Sequence, residues 1–129
     1  AYQFAYAGAV ATALADTLSS EVGGLFDDPR LVTTFERVEP GTDGAVTWQG
    51  EVAGLAGAAL IAALCVFVFE FSAGGASVVV AAGFAGMTAD SLAGAVLEGA
   101  VVGNQGVNFL ATLTGGLAGG ALALVGTLA

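Results

Sequence analysis

The sequence predicts an all-α membrane protein with about four transmembrane helices and one long cytoplasmic loop. Of its 129 residues, 57% are hydrophobic and only 10% are charged, which lies outside the range of ordinary soluble domains. The hydrophobic residues fall into four segments, each close to the roughly 20 residues that cross the hydrocarbon core of a bilayer. One extended hydrophilic segment separates the first two of them.

The predicted helices cover residues 2–25, 52–71, 78–97 and 107–129, and the loop covers residues 26–51. The loop contains both prolines, both arginines and six of the eleven acidic residues, with a turn at "PGTDG". "SAGGAS" predicts the turn before the third helix, and "GNQGVN" predicts a polar link to the fourth. In the fourth helix, Gly115 with Gly119 and Gly116 with Gly120 predict close packing against another helix. We expect a single membrane domain, and a start inside an apolar run without Met indicates a fragment of a longer chain.

Charge and residue types exclude several classes of function. With eleven acidic residues, two arginines, no lysine and a net charge of -9, the chain lacks the basic surface that nucleic acid requires. Without histidine or lysine there is no His base, His metal ligand or phosphate-loop lysine, so carboxylates would carry any catalysis. Cys65, alone in an apolar run, is predicted to be a small buried residue. The acidic excess without lysine also predicts a halophilic source.

The predicted topology brings the acidic ends of the first and third helices to one membrane face. These two helices run in the same direction, and they end in the related segments "ADTLSSEVG" and "ADSLAGAVLEG". The hydrophilic loop emerges at the same face and contains both arginines. The positive-inside rule therefore predicts that this face is the cytoplasmic side of the cell membrane.

The candidate site consists of the carboxylates of Asp16, Glu21, Asp90 and Glu98. An unpaired carboxylate at membrane depth costs several kcal/mol, so it calls for a partner, a proton or a metal ion. Carboxylate oxygens suit Mg²⁺, which keeps some of its waters and bridges to substrate phosphates. Arg30 and Arg37 would then neutralise the outer phosphate oxygens. The alternative is that both arginines serve topology and pair with Glu36 or Glu39 in the loop.

Five ordered motifs resemble one known family. "ADTLSSEVG", "PRLVTT", "V.PGTDGAVT", "G..ADSLAGAVLEG" and "GN..VNFLATLTGG" are similar to the C-terminal part of the integral-membrane family that includes plant phytyl-phosphate kinase and transmembrane protein 19. The resemblance implies a nucleotide-dependent, CTP-like kinase of isoprenoid metabolism. Its substrates would be a nucleoside triphosphate and a prenyl or phytyl monophosphate held at the bilayer surface.

The resemblance also implies roles for individual residues. Asp16, Glu21 and Asp90 would be the catalytic carboxylates and would hold Mg²⁺. The substrate and nucleotide would be bound by Arg30, Thr33, Thr34, Arg37, Thr42, Asp43, Gly44, Ser91, Glu98, Asn104 and Asn108. In the loop, the hydroxyl and backbone N–H groups would donate hydrogen bonds to the phosphate oxygens.

Two other functions fit the same residues. Carboxylates inside a membrane often mark ion pathways, and the near repeat of "ADTL" and "ADSL" fits a cation-coupled transporter. A scaffold protein, with glycines for packing and acids for solubility in salt, is the third interpretation. It predicts that neutralising Asp16 is harmless, whereas the kinase and the transporter both require that carboxylate.

Overall fold

Four long helices and a small hairpin make up the structure, a computed structural model that describes residues 1–97 and 102–128. In order, the elements are α1 Tyr2–Gly23, β1 Arg30–Leu31, β2 Ala45–Val46, α2 Trp48–Phe69, α3 Ala73–Val96 and α4 Asn104–Leu128. Phe4 near the start of α1 stacks on Phe71 just before α3, with ring centroids 4.2 Å apart. The two helices therefore start at the same end, and the predicted all-α class with parallel first and third helices is confirmed.

Three of the four helices have the length and composition of membrane spans. α2, α3 and α4 are each long and apolar enough to cross a bilayer. α1 has the 22 residues of α2 but is not among the three. Its lower hydropathy follows from polar residues along its length, notably Gln3, Thr12 and Asp16. The structure thus supports a multi-pass membrane protein in which α1 is the most polar of the long helices.

The second and third helices begin earlier than predicted because of their N-caps. α2 starts at Trp48, where the Thr47 hydroxyl accepts a hydrogen bond from the Gly50 N–H at 3.0 Å. α3 starts at Ala73, and the Ser72 hydroxyl accepts from the Gly75 N–H at 3.1 Å. The predicted bounds followed apolar content and assigned "SAGGAS" to a turn. In the structure, a left-handed residue at Glu70, with φ of 54°, ends α2 before that segment.

Helix α1 packs against each of the other three helices. Its buried residues are small, among them Ala7, Gly8, Ala11 and Ala15. A Cβ at Gly8 would overlap the Gly115 carbonyl of α4, so the two backbones are in direct contact. Close approach through small side chains is typical of helix pairs in membranes, as the spacing of the α4 glycines predicted.

The loop between α1 and α2 folds back onto the helix ends. β1 and β2 pair antiparallel, with Arg30 opposite Val46 and Leu31 opposite Ala45. β2 contacts both α1 and α3. Gly44 has a φ of +80°, and a Cβ there would overlap the backbone of Ala95. Glycine is required at this position by conformation and by space, and it lets the loop lie directly on α3.

Candidate functional site

A polar pocket of about 320 Å³ lies where the ends of α1 and α3 meet the loop. Its polar side chains come from two helices, the α2 cap, the loop and the start of α4. They are Asp16, Ser19, Ser20, Thr42, Asp43, Thr47, Asp90, Ser91 and Asn104. The convergence of the two acidic helix ends, expected from topology, is present in this pocket.

The central feature of the pocket is a pair of aspartates. The carboxyl groups of Asp16 and Asp90 are close enough to share a hydrogen bond when one is protonated. Among the described residues, Asp90 Oδ1 is the buried side-chain oxygen without a hydrogen-bond partner. Two unit charges about 4 Å apart repel by about 4 kcal/mol at an effective dielectric of about 20. A proton or a cation between the two groups would remove that repulsion.

The packing of α1 on α3 places the two aspartates opposite each other. Thr12, one turn before Asp16, is fully buried, and its hydroxyl donates to the Gly8 carbonyl at 2.9 Å. Gly86, one turn before Asp90, leaves the space that the Thr12 side chain fills. Because the two helices are parallel, a contact at Thr12 and Gly86 sets the register one turn later.

Two helix N-termini also reach the pocket. Thr47, the N-cap of α2, and Asn104, the first residue of α4, both line it. Helix N-termini have a partial positive charge and free N–H groups, which favour anions such as phosphate. Next to Thr47, the Ser19 hydroxyl lies 3.5 Å from Glu51 Oε1, which connects α1 to the first turn of α2. The pocket therefore combines an anionic pair with donors for an anion.

Both arginines lie outside the pocket and pair with Asp28. Arg37 Nε is 2.7 Å from Asp28 Oδ1, and the second Arg30 amino nitrogen is 3.6 Å from Asp28 Oδ2. Arg30 also donates to the Phe35 carbonyl at 3.1 Å. The hydrogen bond from Arg37 holds the pKa of Asp28 below its usual value, which keeps the carboxylate charged. The sequence analysis gave an ion pair within the loop as the alternative role of these arginines. The structure shows such a pairing, with Asp28 as the partner instead of Glu36 or Glu39.

The structure brings together half of the predicted site residues. Those in the pocket lining are Asp16, Thr42, Asp43, Gly44, Asp90, Ser91 and Asn104. Those outside the lining are Glu21, Arg30, Thr33, Thr34, Arg37 and Asn108. Glu98 lies outside the described residues. The loop residues divide at the hairpin, because the turn before β2 faces the pocket whereas the β1 turn at Thr33 and Thr34 is exposed.

Of the predicted metal ligands Asp16, Glu21 and Asp90, the two aspartates line the pocket and Glu21 does not. Glu21 is exposed, because five residues along a helix turn it about 140° away from Asp16. In the described parts of the chain, no group of three or more acidic, histidine or cysteine residues is placed to bind a metal. A pair of carboxylates still fits Mg²⁺, which proteins often hold through one or two carboxylates together with water and substrate phosphates.

Sequence reasoning missed Thr47 and Glu51. A threonine directly before an apolar run, with an acidic residue in the following turn, is a recognisable start of a helix. This helix-start pattern would have predicted that α2 begins directly after Thr47, next to the candidate site. The contact between Ser19 and Glu51 could not have been anticipated, because it depends on how α1 crosses α2.

We predict that Gly44→Ala detaches the loop from α3. The added Cβ would overlap the Ala95 backbone, and the left-handed conformation would cost about 1 kcal/mol more. Hydrogen exchange of residues 30–46 should therefore increase, measured by mass spectrometry in detergent. Gly41→Ala is the matched control, since Gly41 also has a positive φ, +87°, but open space around its Cβ position. Equal exchange in the two variants would contradict the close contact at Ala95.

Comparison with known proteins identifies the family. The model of the integral membrane protein family DUF92 matches residues 1–116. The chain is 45% identical over 119 residues to the uncharacterized membrane protein MJ0933 of Methanocaldococcus jannaschii, covering 88% of this chain and 48% of that protein. It is 38% identical over 95 residues to Protein PGR of Arabidopsis thaliana, covering 64% and 33%. It is 30% identical over 98 residues to the chloroplastic Protein VTE6 of the same plant, covering 75% and 29%.

No solved structure matches the chain. The chain spans less than half the length of these three relatives. The part of the chain that matches the family model, residues 1–116, includes α1, the loop, α2, α3 and the first half of α4, and so all the residues that line the polar pocket. The chain belongs to the DUF92 family of integral membrane proteins.

Proposed function

We propose that the protein is a membrane phosphotransferase that converts a prenyl or phytyl monophosphate to the diphosphate, with a nucleoside triphosphate such as CTP as phosphoryl donor. The observation that carries the proposal is the pair of facing carboxylates, Asp16 and Asp90, in a polar pocket at the end of a membrane helix bundle. A prenyl phosphate has its hydrocarbon chain in lipid and its phosphate at the membrane surface, and the pocket lies towards the C-terminal end of α3, a candidate membrane span.

The charges of the pocket favour a substrate that arrives with a cation. Asp16, Asp43 and Asp90 line the pocket, and neither arginine does. Phosphate oxygens would be repelled by these carboxylates unless a divalent cation is bound between them. Asp16 and Asp90 would hold Mg²⁺, and the bound ion would neutralise negative charge on the phosphate oxygens.

The remaining donors of the pocket suit phosphate. The N-terminus of α2 at Thr47 and that of α4 at Asn104 offer partial positive charge. Thr42 adds a hydroxyl, although that hydroxyl already donates to the Glu39 carbonyl at 2.6 Å. The loop turn from Pro40 to Gly44 borders the pocket and would cover a bound nucleotide. These groups position the substrates without needing an arginine.

The transfer itself needs little chemistry from the protein. An oxygen of the prenyl monophosphate attacks the γ-phosphorus, the bond from that phosphorus to the β–γ bridging oxygen breaks, and the nucleoside diphosphate leaves with the electron pair. The second pKa of a phosphate monoester is about 6, so at neutral pH most of the attacking groups are already deprotonated. A general base is therefore unnecessary, and the aspartates are better used to hold the cation and orient the phosphates.

The family supports the proposal at a distance. The family that the five motifs resemble includes plant phytyl-phosphate kinase, and among the matched relatives Protein VTE6 shares 30% identity over 98 residues with this chain. The two "AD" segments that contain Asp16 and Asp90 are among the motifs of that resemblance. We extend the kinase activity of that family to this chain as a proposal.

We would test the function with the full-length protein in nanodiscs. It would receive Mg²⁺, radiolabelled CTP or ATP, and geranylgeranyl or phytyl monophosphate, and labelled prenyl diphosphate would be separated by thin-layer chromatography. Label in the diphosphate, lost when EDTA is added, is the expected result. Folded protein that forms no diphosphate with either nucleotide, but moves a cation across proteoliposomes, would replace the kinase with a cation-coupled transporter.

A further inference from the structure

We propose that the hydrocarbon chain of the prenyl phosphate lies in a groove between α2 and α3. This inference rests on the proposed function, because it assigns the apolar half of the same substrate. The groove has a volume of about 630 Å³ and is lined by nine residues. They are Leu55, Ala59, Ala62, Ala63, Ala76, Ser77, Val80, Ala81 and Phe84.

The lining of the groove is hydrocarbon in character. Five of its nine residues are alanines, and these small side chains create the depression between the two helices. Ser77 is the polar member of the lining, and its hydroxyl donates to the Ala73 carbonyl at 3.0 Å. Its hydrogen-bonding capacity is thus used within α3. The groove therefore suits an alkyl or isoprenoid chain and offers little to a polar ligand.

The groove is aligned with the polar pocket along the same two helices. On α3, Phe84 lies at the near end of the groove, seven residues or about 10 Å of helix rise before Ser91, a pocket residue on the same face of that helix. On α2, Leu55 lies eight residues, or about 12 Å, after Thr47 at the pocket. From Phe84 the groove continues to Ala76, a further rise of about 12 Å. A substrate with its phosphate in the pocket and its chain directed into the bilayer would run along this groove.

A second apolar groove, between α1 and α4, is the competing location. It has a volume of about 380 Å³, and three large side chains, Phe109, Leu113 and Leu117, line it. The smaller volume leaves less room for a branched chain than the groove between α2 and α3 does. Each groove lies on a helix that carries a pocket aspartate, α3 with Asp90 and α1 with Asp16. The difference in volume therefore favours the groove between α2 and α3.

The distances predict a preference for long chains. Because the groove begins about 10 Å of helix rise from Ser91 at the pocket, a geranyl chain would end near its entrance, whereas a geranylgeranyl or phytyl chain would occupy it. The additional isoprene units would stabilise the long-chain complex mainly through van der Waals packing in the groove, because a chain that moves from lipid into the protein removes little apolar area from water. We therefore expect a higher kcat/KM for geranylgeranyl phosphate than for geranyl phosphate.

Photolabelling tests the location without requiring turnover. The full-length protein, in phosphatidylglycerol nanodiscs, would be irradiated with geranylgeranyl phosphate that carries a diazirine at the chain end. Peptide mass spectrometry should find the label on residues 55–63 and 76–84, and unlabelled phytyl phosphate should displace it. Label on the groove between α1 and α4, or label that phytyl phosphate does not displace, would overturn the inference. In the second case the groove holds bilayer lipid only.

A matched pair of substitutions tests chain length. Ala81 is exposed in the groove, so Ala81→Leu fills space there without entering the core. It should lower kcat/KM for geranylgeranyl phosphate about tenfold more than for geranyl phosphate. Ala9→Leu, in the groove between α1 and α4, should leave the ratio of the two values unchanged. An unchanged ratio in Ala81→Leu would reject the groove even if the kinase activity is present. Absence of activity in the unaltered protein would reject the kinase, and photolabelling would still decide where a prenyl phosphate binds.

Discussion

Asp90→Asn should lower turnover of the prenyl monophosphate by about a thousandfold while the protein still folds in the membrane. The substitution keeps the size of the side chain but removes one of the two negative charges that would hold Mg²⁺. Loss of one preorganised electrostatic group in an active site typically costs two to three orders of magnitude in rate. Asp16→Asn should have a comparable effect. Because the two carboxylates would act as one unit, the double variant should be little worse than either single variant.

Thermal stability distinguishes a functional aspartate from a structural one. Asp90 Oδ1 has no hydrogen-bond partner within the described structure, and the Asp16 carboxyl faces the Asp90 carboxyl. Removing one charge relieves their repulsion, so in the absence of Mg²⁺ both Asn variants should be as stable as the unaltered protein or more stable. The stabilisation that Mg²⁺ adds should also disappear in both variants. A lower melting temperature with retained turnover would contradict the assignment.

Glu21→Gln is the control for this prediction. Glu21 belongs to the same helix and to the same acidic motif as Asp16, but it is exposed and does not line the pocket. We expect the turnover of the Glu21→Gln variant to remain within about threefold of that of the unaltered protein. Loss of activity in Glu21→Gln equal to that in Asp16→Asn would support the predicted set of three carboxylates and contradict the proposal that Asp16 and Asp90 act as a pair.

Gly8→Ala should destabilise the helix bundle by about 2 kcal/mol or more. The added Cβ would overlap the Gly115 carbonyl, which is a backbone group and cannot rotate away. α1 and α4 would have to separate, and overpacking of this kind commonly costs about 1–3 kcal/mol. The measurement is the midpoint of thermal or SDS-induced unfolding in detergent. Because α1 also carries Asp16, we expect turnover to fall in parallel with stability.

Gly126→Ala provides the opposite case on the partner helix. A Cβ at Gly126 would meet nothing within 4 Å, and alanine favours a helix over glycine by up to about 1 kcal/mol. The unfolding midpoint of this variant should therefore be unchanged or slightly higher than that of the unaltered protein. If Gly8→Ala and Gly126→Ala unfold at the same midpoint, the close contact of α1 with α4 is not present in the folded protein.

Much of the fold follows from the sequence because membrane helices are defined by long apolar segments. Four such segments predicted four helices and their alternating direction, and the direction alone predicted that the ends carrying Asp16 and Asp90 share one face. Their exact pairing could not be predicted. It depends on the contact between Thr12 and Gly86, and nothing in the spacing of a single helix reveals which neighbour it touches.

The loop was the least predictable part. Its composition indicated a water-facing segment with a turn at "PGTDG", which correctly located the residues that border the pocket. The partner of the two arginines was uncertain because several acids are within reach in the sequence. The choice of Asp28 follows from the hairpin, in which the bridge between Arg30 and Arg37 places both side chains on the same carboxylate. Glu21 lies outside the pocket lining although it shares a motif with Asp16, because a helix distributes the residues of one motif around its axis.

The central position of α1 has a consequence for how the protein is made. Because α1 is the most polar of the long helices, contact with lipid stabilises it least. Its small buried residues are instead stabilised by packing against α2, α3 and α4. The translocon inserts a segment largely according to its own apolarity, so we expect α2, α3 and α4 to enter the bilayer on their own and α1 to depend on contacts with them. Substitutions that weaken the contacts of α1 would then first appear as failed insertion and degradation during synthesis, before any loss of stability in the mature protein.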